Sequence, residues 1–175
     1  GALLNDIEKH PDFIKIEKFA FEKFGLAAMS HRHGVFGLQQ PLPPIIKYGL
    51  TFLFVQSEFG LCCPLSMTDT LTRTLTKFGD EKLVEKFFDQ LTSQDLDHLF
   101  QGAMFMTEQH AGSDVGSIDT FAEFEDGNWF LTGDKWFCSN PDADLAMVLA
   151  RHNKKISGTK GLALFLLPKK LENGD

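Results

Sequence analysis

The 175 residues predict an α+β fold: an all-helical N-terminal domain over residues 1–100, then a partial antiparallel β-sheet domain over residues 101–175. Three observations predict it. Apolar residues recur at helical spacing in the first hundred positions. After about Phe100 short strand-like runs replace them. Asp126-Gly127-Asn128, between two such runs, is a hairpin signal.

The first helix is expected over Phe13–Leu26, where Phe13, Ile16, Phe19, Ala20 and Phe24 repeat with helical period, Ala27 continuing the pattern. A loop with Gly34, Gly37, Pro41, Pro43 and Pro44 breaks it. Ile45–Phe59 is nearly all apolar and reads as a helix buried on most sides. Ser66–Phe78 is amphipathic and stops at Gly79, a C-cap signal. Asp80 then serves as N-cap for Glu81–Thr92, whose Leu83, Val84, Phe87, Phe88 and Leu91 line one face. Strands are expected over Phe121–Glu125, Trp129–Thr132, Leu145–Arg151 and Gly161–Leu167, with Pro168 closing the last. So few antiparallel strands leave edges unpaired. Self-association through the β region, giving a homo-oligomer, is therefore expected, or else further chain completes the sheet; the start at Gly1-Ala2, without Met, reads as processed or truncated.

Hydrophobic residues make up 43% and charged residues 23%, a soluble globular composition. Eighteen phenylalanines suggest a Phe-rich core or, alternatively, aromatic surface awaiting a partner. The net charge of −7 is spread: residues 1–100 carry 10 basic and 13 acidic groups, residues 101–175 carry 7 and 11. Without a basic stripe, direct nucleic-acid binding is not expected. Three cysteines, lacking CxxC spacing, argue against disulfides or zinc and for a reducing compartment. Cys62 and Cys63, in an apolar setting, read as buried small hydrophobes. No run reaches the 18 apolar residues of a membrane span, and Asp6, Glu8 and Lys9 occupy the place of a signal-peptide core, so the expected location is cytoplasmic.

Several chemistries are disfavoured. Gly112-Ser113-Asp114-Val115-Gly116 does not fit the GxSxG elbow, and His110, Ser113 and Asp114 lie too close in sequence to aim at one another as a triad. His31-x-His33 has no carboxylate or Cys at helical ligand spacing, so no metal site is assigned, and helix-end polar contacts are expected of it. No GxGxxG follows a strand. Two segments remain: Met104-Phe105-Met106-Thr107-Glu108-Gln109-His110-Ala111-Gly112-Ser113-Asp114, running from an apolar stretch into a polar loop, and Gly133-Asp134-Lys135-Trp136-Phe137-Cys138-Ser139-Asn140. Such a strand-to-loop pair can hold a planar, polar-edged ring and an attached phosphate.

Thr107-Glu108-x-x-Ala111-Gly112-Ser113-Asp114 resembles the acyl-CoA dehydrogenase signature TEPxAGSD, and Gly133-x-Lys135-x-Phe137-x-Ser139-Asn140 is similar to its companion GxKxWITN. Their order, their separation and the helix-to-sheet switch also match. The resemblance implies FAD as cofactor. Phe105, Met106 and Thr107 would meet the polar edge of the isoalloxazine, and Gly112 would permit close approach. Phe137 would stand where the family has a Trp against the flavin, with Cys138 beside it and Ser139 reaching towards flavin N5. Ser113 would touch both the FAD pyrophosphate and the acyl-CoA substrate. The implied activity is α,β-dehydrogenation of acyl-CoA thioesters, with an electron-transfer flavoprotein as partner.

Departures are visible. Gln109 replaces Pro and loosens the loop. Phe137 replaces Trp, with Trp136 one place earlier; in a strand that neighbour faces the other way, which assigns Trp136 to the core. A redox role for Cys138 requires exposed, electropositive surroundings. The family's catalytic base is a Glu of the C-terminal helical domain, and none of Glu108, Glu123 or Glu125 matches it; Glu108 is expected to serve as a structural hydrogen-bonding group. No catalytic residue is assigned, and the 175 residues alone are expected to be inactive and to hold FAD weakly. A second reading is the alkylation-response branch, flavoproteins associated with DNA protection, to which Gly60–Thr68, Lys135-Trp136-Phe137 and Leu167–Leu171 are similar. A third is a cofactor-free helical interaction module.

Overall fold

A computed structural model describes residues 7–171. Four α-helices precede a five-stranded sheet: α1 Pro11–Lys18, α2 Pro44–Val55, α3 Cys62–Phe78, α4 Glu81–Leu91, then β1 Gly102–Phe105, β2 Phe121–Glu125, β3 Asn128–Thr132, β4 Leu145–Arg151 and β5 Leu162–Pro168.

The chain enters α1 through Pro11, whose fixed φ suits a first helical turn, while His10 accepts the Asp12 amide at 3.2 Å. The expected helix to Leu26 ends earlier. Phe19–Lys23 forms a π turn, with the Phe24 amide bonding the Phe19 carbonyl at 2.9 Å, and Gly25 at φ 55° closes it. The widened turn rotates the face that follows, so Ala20 and Phe21 are buried while Phe19 and Phe24 point to solvent.

Helix α2 also departs from expectation. Its one buried residue is Lys47; Ile45, Ile46, Phe52 and Leu53 are exposed, Ile45 at 80%. Only the stripe carrying Lys47, Leu50 and Phe54 turns inward. Lys47 Nζ reaches Asp69 of α3 at 2.6 Å, and Asp69 also receives His31 Nε2 at 2.7 Å and the Ser30 hydroxyl at 3.3 Å. His31, in the turn between α1 and α2, thus makes a polar contact with the middle of α3 and not with a helix end. Burial alone would raise the Asp69 pKa, but the hydrogen bonds and charges of His31 and Lys47 outweigh it and hold the carboxyl below its usual range.

Helix α3 begins at Cys62, four residues before the expected start, so Cys62 is half-buried and Cys63 exposed, on a first turn rather than in the core. It ends at Gly79, which is extended (φ −76°). Asp80 caps α4 by accepting the Lys82 amide at 2.9 Å. Of the 18 phenylalanines, Phe21 and Phe87 are buried and nine are exposed, so the core is chiefly Leu and Ala.

The sheet is mixed, not antiparallel throughout. Strand β4 is central: β5 runs antiparallel along one edge, and β1 runs parallel along the other, with Gly102 opposite Leu145 and Phe105 opposite Val148. Strand β2 joins that second edge at Phe121–Arg151 and carries the hairpin partner β3. A parallel pair needs a long crossover, and residues 106–144 supply it. Local turn signals reveal only the β2–β3 hairpin, whose Asp126 and Gly127 take φ 48° and 83°. Helices and sheet share a core: Leu71, Leu75, Phe87 and Leu91 pack with Leu145 and Met147. Gly102 lets β1 lie against α3, because a Cβ there would come within 3.0 Å of the Thr68 Cα.

Candidate functional site

Because β1 occupies only the first half of its edge of β4 and β2 joins only at the far end, the chain leaves the sheet after Phe105. The second segment lies alongside this departure. Asn140 Nδ2 donates to the Gly102 carbonyl (3.2 Å) and to Gln101 Oε1 (3.1 Å) at the start of β1, and the Trp136 amide donates to the Thr107 carbonyl (2.8 Å) just past its end.

Lys135 and Glu108 bind the two segments from inside. Both side chains are buried. Lys135 Nζ donates to Glu108 Oε1 at 2.8 Å and to the Met106 carbonyl at 3.2 Å. Glu108 also accepts the Thr120 amide on Oε1 (3.0 Å) and the Asp119 amide on Oε2 (2.7 Å). Burial would raise its pKa, but Lys135, the adjacent Thr120 hydroxyl and the two amides overcome this and bring it to about 2. That hydroxyl lies close enough to favour the ionised carboxylate, though it finds no partner of good hydrogen-bond geometry among the described residues. A carboxylate so acidic and held by three donors is a fastener. It cannot serve as a general base near neutrality.

The residues proposed from sequence fall around this fastener. Phe105 ends β1, half-buried against the Ala103, Ala146 and Val148 cluster. Met106 and Thr107 follow, half-buried, their carbonyls taken by Lys135 and Trp136. The chain then turns tightly, Glu108 pairing with Ala111, and exposes Gly112 and Ser113. Gly112 stays beside Thr107: a Cβ there would lie 3.7 Å from the Thr107 methyl. Phe137, 80% exposed, holds a left-handed backbone at φ 57°. A bulky residue is strained there. Cys138 is half-buried, and burial raises its thiol pKa despite partial opposition from Lys135, so a reactive thiolate is not favoured.

Trp136 corrects an expectation. Residues 133–140 form a loop, not a strand, so Trp136 is not in the core; it is 48% exposed and meets Phe137 edge-on at 5.7 Å. Gly133 at φ 151° and the left-handed Phe137 remove the alternation that would have separated the two rings. Lys135 and Asn140, which belong to the second segment, emerge as its anchors. Their spacing in the motif was readable, but their partners were not.

The two joined segments therefore carry an aromatic pair open to solvent and several free polar groups. The hydroxyls of Thr107, Ser113 and Ser139 have no hydrogen-bond partner among the described residues. This set suits a flat aromatic ligand with a polar edge. A separate cleft of about 660 Å³, between α4 and the end of β5, contains none of these residues. The described residues include no helix long and apolar enough to cross a membrane.

Residues 103–174 match the model of the acyl-CoA dehydrogenase middle domain. Acyl-CoA dehydrogenase family member 11 of Caenorhabditis elegans is 39% identical over 133 residues, covering 71% of this chain and 22% of its own length. AidB of Escherichia coli is 35% identical over 131 residues, 70% of this chain and 23% of its own. The solved structure of Caenorhabditis elegans ACDH-11 in complex with C11-CoA superposes with a TM-score of 0.80 at 30% identity, over 100% of this chain and 30% of that one. The chain thus spans about a fifth of the length of these curated relatives. With the family model on the sheet and relatives extending into the helices, the chain belongs to the acyl-CoA dehydrogenase family.

Proposed function

We propose that this chain supplies one wall of a FAD site in an acyl-CoA dehydrogenase-like oxidoreductase acting on acyl-CoA thioesters, residues 1–100 being its N-terminal helical domain and 101–175 part of its middle domain. The observation that carries the reading is the junction of the two signature segments, by Trp136 on Thr107 and by Lys135 on Met106 and Glu108. It joins the two segments that carry the open aromatic pair and the unpartnered hydroxyls.

In this reading Met106 and Thr107 bind the polar edge of the flavin ring, and Phe137 supplies an aromatic wall. Cys138 and Ser139 line the ring's approach. Gly112 admits the cofactor closely, and Ser113 contacts the pyrophosphate and the acyl-CoA side. Bound FAD would supply the two-electron acceptor. The residues of this chain orient the ring and exclude water; the proton abstraction belongs to a group outside it, since Glu108 is locked as an anion. The cytoplasm, a homo-oligomeric assembly and an electron-transfer flavoprotein as acceptor complete the proposal.

A second reading, the alkylation-response branch, rests on the resemblance to it of Gly60–Thr68, Lys135-Trp136-Phe137 and Leu167–Leu171. The two separate on one assay. Full-length protein incubated with acyl-CoA and an artificial electron acceptor forms enoyl-CoA under the dehydrogenase reading. Flavin-containing protein that forms none across chain lengths sinks that reading and leaves the second.

A further inference from the structure

We propose that Glu108, His110 and Asp119 form a binding site for a divalent cation of the zinc type. Three features of the fold make the site. The tight turn at Glu108–Ala111, closed by backbone hydrogen bonds of 3.2 and 3.0 Å, folds His110 back over Glu108. The Asp119 amide, donating to Glu108 Oε2 at 2.7 Å, brings the far end of the loop to the same carboxylate. Glu108 itself is 3% exposed and pinned through Oε1 by Lys135 and the Thr120 amide.

His110 Nε2 lies 3.3 Å from Asp119 Oδ2 and 3.8 Å from Glu108 Oε2, and the three ligand atoms all fall within 4.8 Å of one another. Tetrahedral zinc with bonds of about 2.0–2.2 Å places its ligands about 3.3–3.6 Å apart. Small side-chain rotations therefore reach the required geometry. Asp119 is 86% exposed and His110 54%, so both are free to make them.

The donor set decides the ion. One imidazole nitrogen with two carboxylates favours zinc or a neighbouring transition ion over calcium or magnesium, which prefer oxygen alone. Lys135, the Thr120 amide and the Asp119 amide hold the Glu108 carboxylate in place. Those same partners fix the orientation of the ligating oxygen, as outer-shell groups do in established sites. The two carboxylates and one ammonium leave a net charge of −1 facing the cation. The exposed side leaves a fourth position for water. Bound there, the ion would clamp residues 108–119, the loop that carries Gly112 and Ser113.

The inference stands apart from the flavin reading and is tested without FAD. The 175-residue chain, stripped with chelator, is titrated with Co²⁺ and followed by visible absorption, then with Zn²⁺ by calorimetry. The expected result is one equivalent of Co²⁺ with tetrahedral-type bands, displaced by Zn²⁺. His110→Ala abolishes the bands, and Asp119→Asn weakens binding more than about tenfold, the scale on which even outer-shell partners act. Both residues are exposed enough for the variants to fold, which circular dichroism checks. His33→Ala, outside the cluster, retains binding. No saturable Co²⁺ binding by the unaltered chain, binding unchanged in His110→Ala, or binding lost in His33→Ala overturns the proposal.

Discussion

Replacing Glu108 with Gln tests the fastener at the centre of the site. The carboxylate accepts Lys135 and the Thr120 amide on one oxygen and the Asp119 amide on the other. A Gln side chain has one oxygen, so its NH₂ must face either the Lys135 ammonium or a backbone donor. The ammonium, 7% exposed, then loses its counter-charge. Breaking a buried pair by removing one partner costs about 3–5 kcal/mol; because the loop lies close to the surface, the lower end applies, about 3 kcal/mol. Lys135→Met should cost less, roughly 2 kcal/mol, since the carboxylate keeps two amide donors and loses its charge partner only. Urea unfolding of both single variants and the double variant completes the cycle. The double variant should recover at least about 1 kcal/mol of the summed losses. Additivity within about 0.5 kcal/mol, or a Lys135→Met more damaging than Glu108→Gln, would refute this reasoning.

The remaining predictions follow from single contacts. Glu108 falls from 4.5 to about 2 on folding, so its contribution, at most about 3 kcal/mol, is present above pH ~4.5 and is lost as the pH drops towards 2; Glu108→Gln should flatten that part of an acid-unfolding curve. Lys47→Met should destabilise by about 3 kcal/mol, because Asp69 stays buried without its cation, whereas Ile45→Ala on the same helix should change stability by less than about 0.5 kcal/mol; equal effects in thermal melts would contradict the assigned face of α2. Gly133→Ala should cost more than about 2 kcal/mol, since its Cβ would lie 2.7 Å from the Thr120 Cα at φ 151°. The isolated chain should self-associate and retain little FAD; monomers by light scattering at high concentration, or stoichiometric FAD, would count against the proposed role.

Legibility in the sequence tracked the range of the interactions. Asp80 as a cap and Asp126-Gly127 as a two-residue turn rest on local backbone geometry, and they were readable from adjacent residues. The π turn at Phe19–Lys23 was not, because one extra residue in a turn leaves helical periodicity nearly intact while redirecting Phe19 and Phe24. The exposure of α2 was hidden for a different reason. An all-apolar helix reads as buried whether or not anything covers it, and the one inward charge, Lys47, depends on Asp69 twenty-two residues away. The parallel β1–β4 pair joins residues some forty positions apart with no turn to announce it. At the site, the two motifs were visible as strings, but the lock between them was not. Lys135 reaches back 27 residues to Glu108, and the outward ring of Trp136 follows from a left-handed Phe137 that no periodicity rule anticipates.

The most direct test of the central claim is the absorption spectrum of the full-length protein purified without added cofactor, repeated after incubation with FAD. If Met104–Asp114 and Gly133–Asn140 form one side of a flavin site, the protein carries a flavin spectrum at about one FAD per chain, and Phe137→Ala weakens retention without unfolding the chain. A colourless full-length protein that takes up no added FAD would contradict it.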